Sequence, residues 1–145
     1  DHACGRPLAF QRIDSDANET MERTAGRFVF AGHEDHDHFH FDDFSAYRLR
    51  DLNTDAVLAE STKVSFCLTD SVRLSGSVPG RFDCSDQGIS VGWADIYDAS
   101  LDGQEIDVGA VPPGTYWLEH EVDPSGLLEE SDDNDNTVRI QVTFP

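Results

Sequence analysis

Lysine is almost missing from this chain. Ten of its 145 residues are basic and nine of those are arginine, which leaves Lys63 as the single lysine. Against them stand 29 Asp and Glu, for a formal net charge of −19. A phosphate-binding face needs clustered basic side chains, so this composition argues against a nucleic-acid partner. Long apolar runs are missing too: no stretch approaches the roughly 20 residues of a membrane span. The opening Asp1-His2-Ala3-Cys4-Gly5 has neither a basic region nor an apolar run, so it does not read as a signal peptide. On that reading the chain is either cytosolic or the mature form of an exported protein. Cysteine is scarce and odd in number, at three. Cys67 and Cys84 flank a Gly/Ser/Pro-rich stretch, and a bridge closing that loop suits an oxidising compartment. Cys4 has no evident partner.

A chain of this length makes about one domain and buries roughly 70% of its unfolded surface, enough for a single core. The excess of acid suits a protein dissolved in concentrated salt, where the Debye length falls to about 3 Å at 1 M and like charges stop repelling. An ordinary acidic secreted protein is the alternative. No segment shows sustained helical periodicity with caps. Instead Arg27–Phe30, Val64–Leu68, Thr115–Leu118 and Val138–Phe144 carry β-branched and aromatic residues between turn signals. In the last, Val138, Ile140, Val142 and Phe144 share one face, and Arg139, Gln141 and Thr143 the other. Asn53-Thr54-Asp55 reads as a hairpin turn between Tyr47-Arg48-Leu49 and Val57-Leu58. Short strands with dense Pro/Gly turns point to an all-β, immunoglobulin-like sandwich with long loops. Its last hairpin turns at the Asn/Asp-rich tip 129–136.

Four of the six histidines fall in the eight residues His33 to His40. On a strand, residues i, i+2 and i+4 share a face, so His36, His38 and His40 project together. Adjacent members stand roughly 6.7 Å apart and the outer pair about 13 Å, so a third imidazole reaches a shared ion only if the strand curves. Neutral imidazole suits copper and zinc, and three nitrogens leave a coordination position open. Copper is the expected ion; a structural zinc site and a solvated polar strand are the rivals. Asp35 and Asp37 alternate with the ligands.

The single lysine needs a reason that arginine cannot satisfy: a lysine can lose its proton when buried and attack as an amine. The alternative is an exposed lysine left by chance. The run His36-Asp37-His38-Phe39-His40, then Asp42-Asp43-Phe44-Ser45-Ala46-Tyr47, Lys63-Val64-Ser65-Phe66-Cys67-Leu68, and Gln87-Gly88-Ile89-Ser90-Val91-Gly92-Trp93-Ala94-Asp95-Ile96-Tyr97 resembles the catalytic domain of lysyl oxidases. The similarity ends at Glu130-Ser131-Asp132 with Asn136. It spans most of residues 26 to 140 in the family's order, and makes residues 1–145 one lysyl-oxidase-like catalytic domain.

The resemblance implies copper on His36, His38 and His40, and a lysine tyrosylquinone cofactor formed by Lys63 and Tyr97. It implies oxidation of a primary amine, a small molecule or a peptidyl lysine, to an aldehyde by dioxygen, with release of hydrogen peroxide and ammonia in an extracellular setting. Asp95, two residues before Tyr97 and on the same face if both lie on a strand, is the candidate base. Glu130, Asp132, Asp135 and Asn136 match positions that hold calcium in similar domains, and supply the hard oxygens calcium takes. Departures accompany the likeness. Gly5-Arg6-Pro7-Leu8 resembles a point already inside the domain, so the first strands are either missing or supplied by a partner chain. One residue is deleted after His40. Asp35 replaces a cysteine of animal members, which leaves Cys67 as the available partner of Cys84. The rival to an amine oxidase is a non-catalytic, metal-stabilised immunoglobulin-like module of a cell surface or filament, and a metal-only enzyme is a third reading.

Overall fold

A computed structural model describes residues 7–14, 20–33, 36–61, 65–101 and 104–145. The described chain is all-β, as expected: nine antiparallel strands and no helix among the described residues. No helix there is long and apolar enough to cross a membrane. The strands fall into two compact units. One comprises Asp1–Asp42, Ser65–Ile96 and Leu127–Glu129, the other Asp43–Val64, Tyr97–Gly126 and Glu130–Pro145.

The first unit is built on the long strand β2 (Thr20–His33). Its first half pairs with β1 (Leu8–Asp14) and its second half with β3 (His36–Phe41). A register shift opposite Ala9 and Phe10 leaves Ala25 as the extra residue, and such a bulge bends and twists the strand. Gly26 follows at φ +133°, where a side chain would be strained and a Cβ would stand 3.2 Å from the Phe41 ring. The bend brings together a small core of Ala9, Ala25, Phe41, Phe66, Cys67 and Leu68, all buried. The expectation of a strand over Val64–Leu68 is corrected: among its described residues only Phe66 pairs, in an isolated bridge with Phe41. The physical reason is burial without alternation. Phe66, Cys67 and Leu68 are buried in succession, whereas a strand sends neighbours to opposite faces. Two short strands, β6 (Val72–Arg73) and β7 (Trp93–Ala94), pair within the loop region of this unit.

The second unit is a four-stranded sheet in the order β5-β4-β8-β9, with β4 Ser45–Asp51, β5 Val57–Glu60, β8 Gly114–Val122 and β9 Thr137–Phe144. The β4–β5 hairpin forms where its turn residues expected it. Asp51 Oδ1 accepts from the backbone of Asn53 (2.9 Å) and Thr54 (2.8 Å), an Asx-type turn. On one face Leu49, Leu118 and Ile140 lie in register across three strands, beside Asp51, Tyr116 and Val142. Leu49 and Tyr116 are buried, but β9 is an edge, and Val138 (57% exposed) and Ile140 (56%) remain open. The alternation read from the sequence has the right phase, and only its second half is partly covered.

The opposite face is ionic. Glu119 of β8, 2% exposed, lies directly between Arg48 of β4 and Arg139 of β9. It accepts from Arg48 (3.1 Å), Arg50 (2.9 Å) and Arg139 (2.6 Å), and Arg139 continues to Asp55 (2.8 Å). Burial pushes the Glu119 carboxyl up, but the three guanidiniums outweigh it and hold its pKa below the ordinary value. A depressed pKa adds stability that is present above the unfolded value and is lost as the pH falls through the folded one. Replacing Glu119 by Ala removes the acceptor that the three guanidiniums share, while Arg48 keeps Glu121 and Arg139 keeps Asp55; breaking a buried pair costs up to about 3–5 kcal/mol. Urea unfolding of Glu119→Ala at neutral pH measures it; a loss under about 1 kcal/mol, the worth of an exposed pair, would contradict the assignment.

Candidate metal centre

Positions 36, 38 and 40 of β3 pair with His33, Ala31 and Val29 of β2 in an unbroken register. The backbone therefore carries the three histidines as the sequence alternation requires. The side chains of His33 and His36 lie outside the described residues, and so does Lys63 within 62–64. His38 and His40 come together: their Nε2 atoms are 3.0 Å apart and their ring centroids 4.8 Å. His40 is 4% exposed and His38 half-buried. A metal–imidazole bond is about 2 Å long, so one ion can reach both nitrogens. Two convergent, sheltered imidazoles fit copper or zinc.

Neighbouring segments of the same unit hold this strand in place. Phe41 and Phe66 exchange backbone hydrogen bonds of 2.7 and 3.1 Å just past the last ligand. The Gln87 amide donates to the Phe39 carbonyl, between the two ligands, and to the Cys84 carbonyl, while its oxygen accepts from Leu68 N–H at 3.2 Å. Cys67 and Cys84 are joined, as expected, with S–S 2.07 Å and Cα–Cα 5.6 Å. Ligand atoms of His38, Cys67 and Cys84 lie within 4.8 Å of one another. Sequence reasoning gave no role to Gln87. Gln87 opens the run Gln87–Tyr97 quoted for the resemblance, but its structural role comes from three segments meeting around it.

The loops beyond are tied by carboxylates. Asp70 accepts from the N–H groups of Arg81 (2.8 Å), Phe82 (3.2 Å) and Ser90 (2.7 Å) and from the Ser90 hydroxyl (2.7 Å). Burial raises its pKa, but these four donors bring it down to about 2. Asp95 accepts from Thr69 N–H (2.9 Å) and hydroxyl (3.2 Å) through its two oxygens. The condition under which Asp95 and Tyr97 would share a face, that both lie on a strand, is not met: β7 ends at Ala94, and Asp95 turns to Thr69. Tyr97 is half-buried in the second unit.

His120 Nε2 lies 2.9 Å from Ser45 Oγ while its ring stacks on Tyr47 at 4.3 Å. Burial lowers the His120 pKa, which favours the neutral ring. At the acidic tip Glu130, Asp132 and Asp135 are exposed. Asn136 donates to Glu130 at 2.6 Å, and Asp132 accepts from Asn134 N–H and side chain at 3.0 and 2.8 Å.

The lysyl oxidase family model matches residues 6–145. The chain belongs to the lysyl oxidase family. It is 38% identical over 137 residues to protein-lysine 6-oxidase of Sus scrofa, covering 92% of this chain and 55% of the pig protein. Identity to the Homo sapiens protein of that name is 39%, over 92% of this chain and 33% of the human one. Human lysyl oxidase homolog 1 is 36% identical over the same share of this chain and 24% of its own length. The chain thus spans about half of the pig protein and less of the human ones. Within this family member, the unpaired carbonyls and slackened strand that follow loss of Gln87 fall on the ligand pair. Gln87→Leu should weaken binding of a metal ion at the His38–His40 pair roughly 10–100-fold, as losing a supporting partner of a metal ligand does. Chelator competition measures this, and unchanged affinity would show that Gln87 holds nothing essential. The Asp70 cradle sets an acid limit. Its contribution should fade as the pH falls from 3.8 through about 2, and Asp70→Asn should flatten that limb of the stability curve.

Proposed function

We propose that this chain is a copper-dependent amine oxidase that converts primary amines, peptidyl lysine among them, to aldehydes. The observation that carries this reading is the 3.0 Å convergence of the His38 and His40 nitrogens on β3 in a chain of the lysyl oxidase family. His36, at the next alternate backbone position of β3, would complete a three-nitrogen set of the kind that leaves a position open. When bound, copper would supply the dioxygen-dependent oxidation of Tyr97, and the resulting lysine tyrosylquinone would be the electron sink for the amine.

The chain's own residues have simpler tasks. Lys63 must lose its proton to act as the nucleophile toward the Tyr97 ring, and an amine, unlike a guanidinium, can do so. Asp95 is the base in this proposal. Its oxygens accept from Thr69, so it is oriented, and each oxygen keeps a lone pair that can take a proton. The excess of acidic side chains draws cationic amines toward the protein, an effect that salt mutes. Calcium at Glu130, Asp132, Asp135 and Asn136 would bind at the mouth of the last hairpin and brace it. An extracellular location fits the disulfide.

The test is Lys63→Arg. It should bind copper with unaltered stoichiometry yet form no quinone absorbance and no amine-dependent peroxide, whereas the parent protein forms both after aerobic copper loading. Peroxide production by Lys63→Arg would remove the quinone from the account. A parent protein that binds copper and stays inert toward every amine would favour a metal-stabilised module.

A further inference from the structure

His38 stands within reach of two kinds of ligand. One is the His40 nitrogen at 3.0 Å; the other is the sulfur pair of Cys67 and Cys84, whose ligand atoms and that of His38 lie within 4.8 Å of one another. As a disulfide the sulfurs are poor donors. As thiolates they would be the strongest soft ligands in the described part of this unit, since thiolate is the metal-binding form of cysteine. Cys67 is buried and Cys84 exposed, so the bridge presents one half to a reductant in solution.

The two cysteine segments are also held by bonds that do not involve sulfur. On the Cys67 side, Phe66 pairs with Phe41, Leu68 N–H donates to Gln87, and Gly88 N–H donates to the Leu68 carbonyl at 3.0 Å. On the Cys84 side, Asp83 accepts from Ser85 N–H (2.7 Å) and Asp86 N–H (3.1 Å), and Gln87 donates to the Cys84 carbonyl. These contacts would keep both thiols beside His38 once the bridge is open.

We propose that Cys67, Cys84 and His38 form a second metal site, opened by reduction of the disulfide and taken by a soft or borderline cation such as Zn2+ or Cu+. The reductant is a dithiol, which passes two electrons and two protons to the bridge and becomes a disulfide itself. The two new thiols release their protons to solvent when the cation binds. Two sulfurs and one imidazole make a three-ligand set with water in the fourth position. The bridge therefore separates a histidine-only centre in the oxidised chain from an added Cys2His centre in the reduced one, with His38 a member of both ligand sets. This inference does not rest on the amine oxidase reading and holds whether or not a quinone forms.

The experiment is a Co2+ titration of the full chain carrying Cys4→Ser, so that no third thiol contributes, before and after treatment with a water-soluble phosphine. That reagent consumes one water per bridge and leaves a phosphine oxide and two thiols. Circular dichroism before metal addition reports the fold of each sample. After reduction one equivalent of Co2+ should give thiolate-to-cobalt charge-transfer absorption that the oxidised sample lacks. Cys67→Ser/Cys84→Ser should abolish the band. His38→Ala should weaken binding by more than about tenfold, the least that losing even a supporting partner of a ligand costs. A folded reduced chain without the band overturns the proposal, and so does a band whose affinity His38→Ala leaves unchanged. Loss of the strand signal on reduction overturns it too, because the site needs both cysteine segments held in place.

Discussion

Holding two imidazoles side by side out of water is the demand around which the first unit is arranged. A buried polar ring must find a partner or cost its desolvation, and His40, 4% exposed, has the His38 nitrogen at 3.0 Å. The strand that carries them has to be rigid, because a ligand pair misplaced by an ångström loses its ion. That rigidity comes from backbone pairing with β2 on one edge, the Phe41–Phe66 exchange at the end, and Gln87 reaching the carbonyl between the ligands. The bulge at Ala25 and the unusual backbone of Gly26 let Phe41 sit where that exchange is made.

A different constraint governs the second unit, a packed sheet in a chain whose net charge is −19. The solution concentrates Arg48, Arg50 and Arg139 on the buried carboxylate of Glu119. A planar guanidinium can bridge two carboxylates in fixed directions, as Arg139 does between Glu119 and Asp55. Lysine, a point charge on a flexible stem, could not span the sheet that way. The preference for arginine in this chain therefore has a structural side, which is separate from the chemical reason for keeping Lys63.

Much of this was legible in the sequence where a short period or a local turn rule applied. The alternating histidines, the β4–β5 hairpin at Asp51–Asp55 and the strands around Tyr116 and Ile140 follow from period-two patterning and Asx-turn chemistry. The Cys67–Cys84 bridge was readable because its partners were few. What escaped depended on contacts between distant segments. Phe66 to Leu68 looks like a strand by composition, yet its three consecutive buried residues serve the core and the disulfide. Asp95 and Tyr97 look like alternate strand positions, yet Thr69 captures the aspartate just past the strand end. Asp70 carries no local signature and Gln87 only its place in the quoted run, because their roles consist of whole loops converging on one side chain.

The proposal on which the function turns is that Lys63 and Tyr97 become one cofactor. Peptide mapping of the intact, aerobically copper-loaded protein tests it most directly. The account predicts a single cross-linked species containing both residues, absent from protein kept metal-free and absent from the His38→Ala/His40→Ala variant. Recovery of separate, unmodified Lys63 and Tyr97 peptides from fully copper-loaded protein would contradict it.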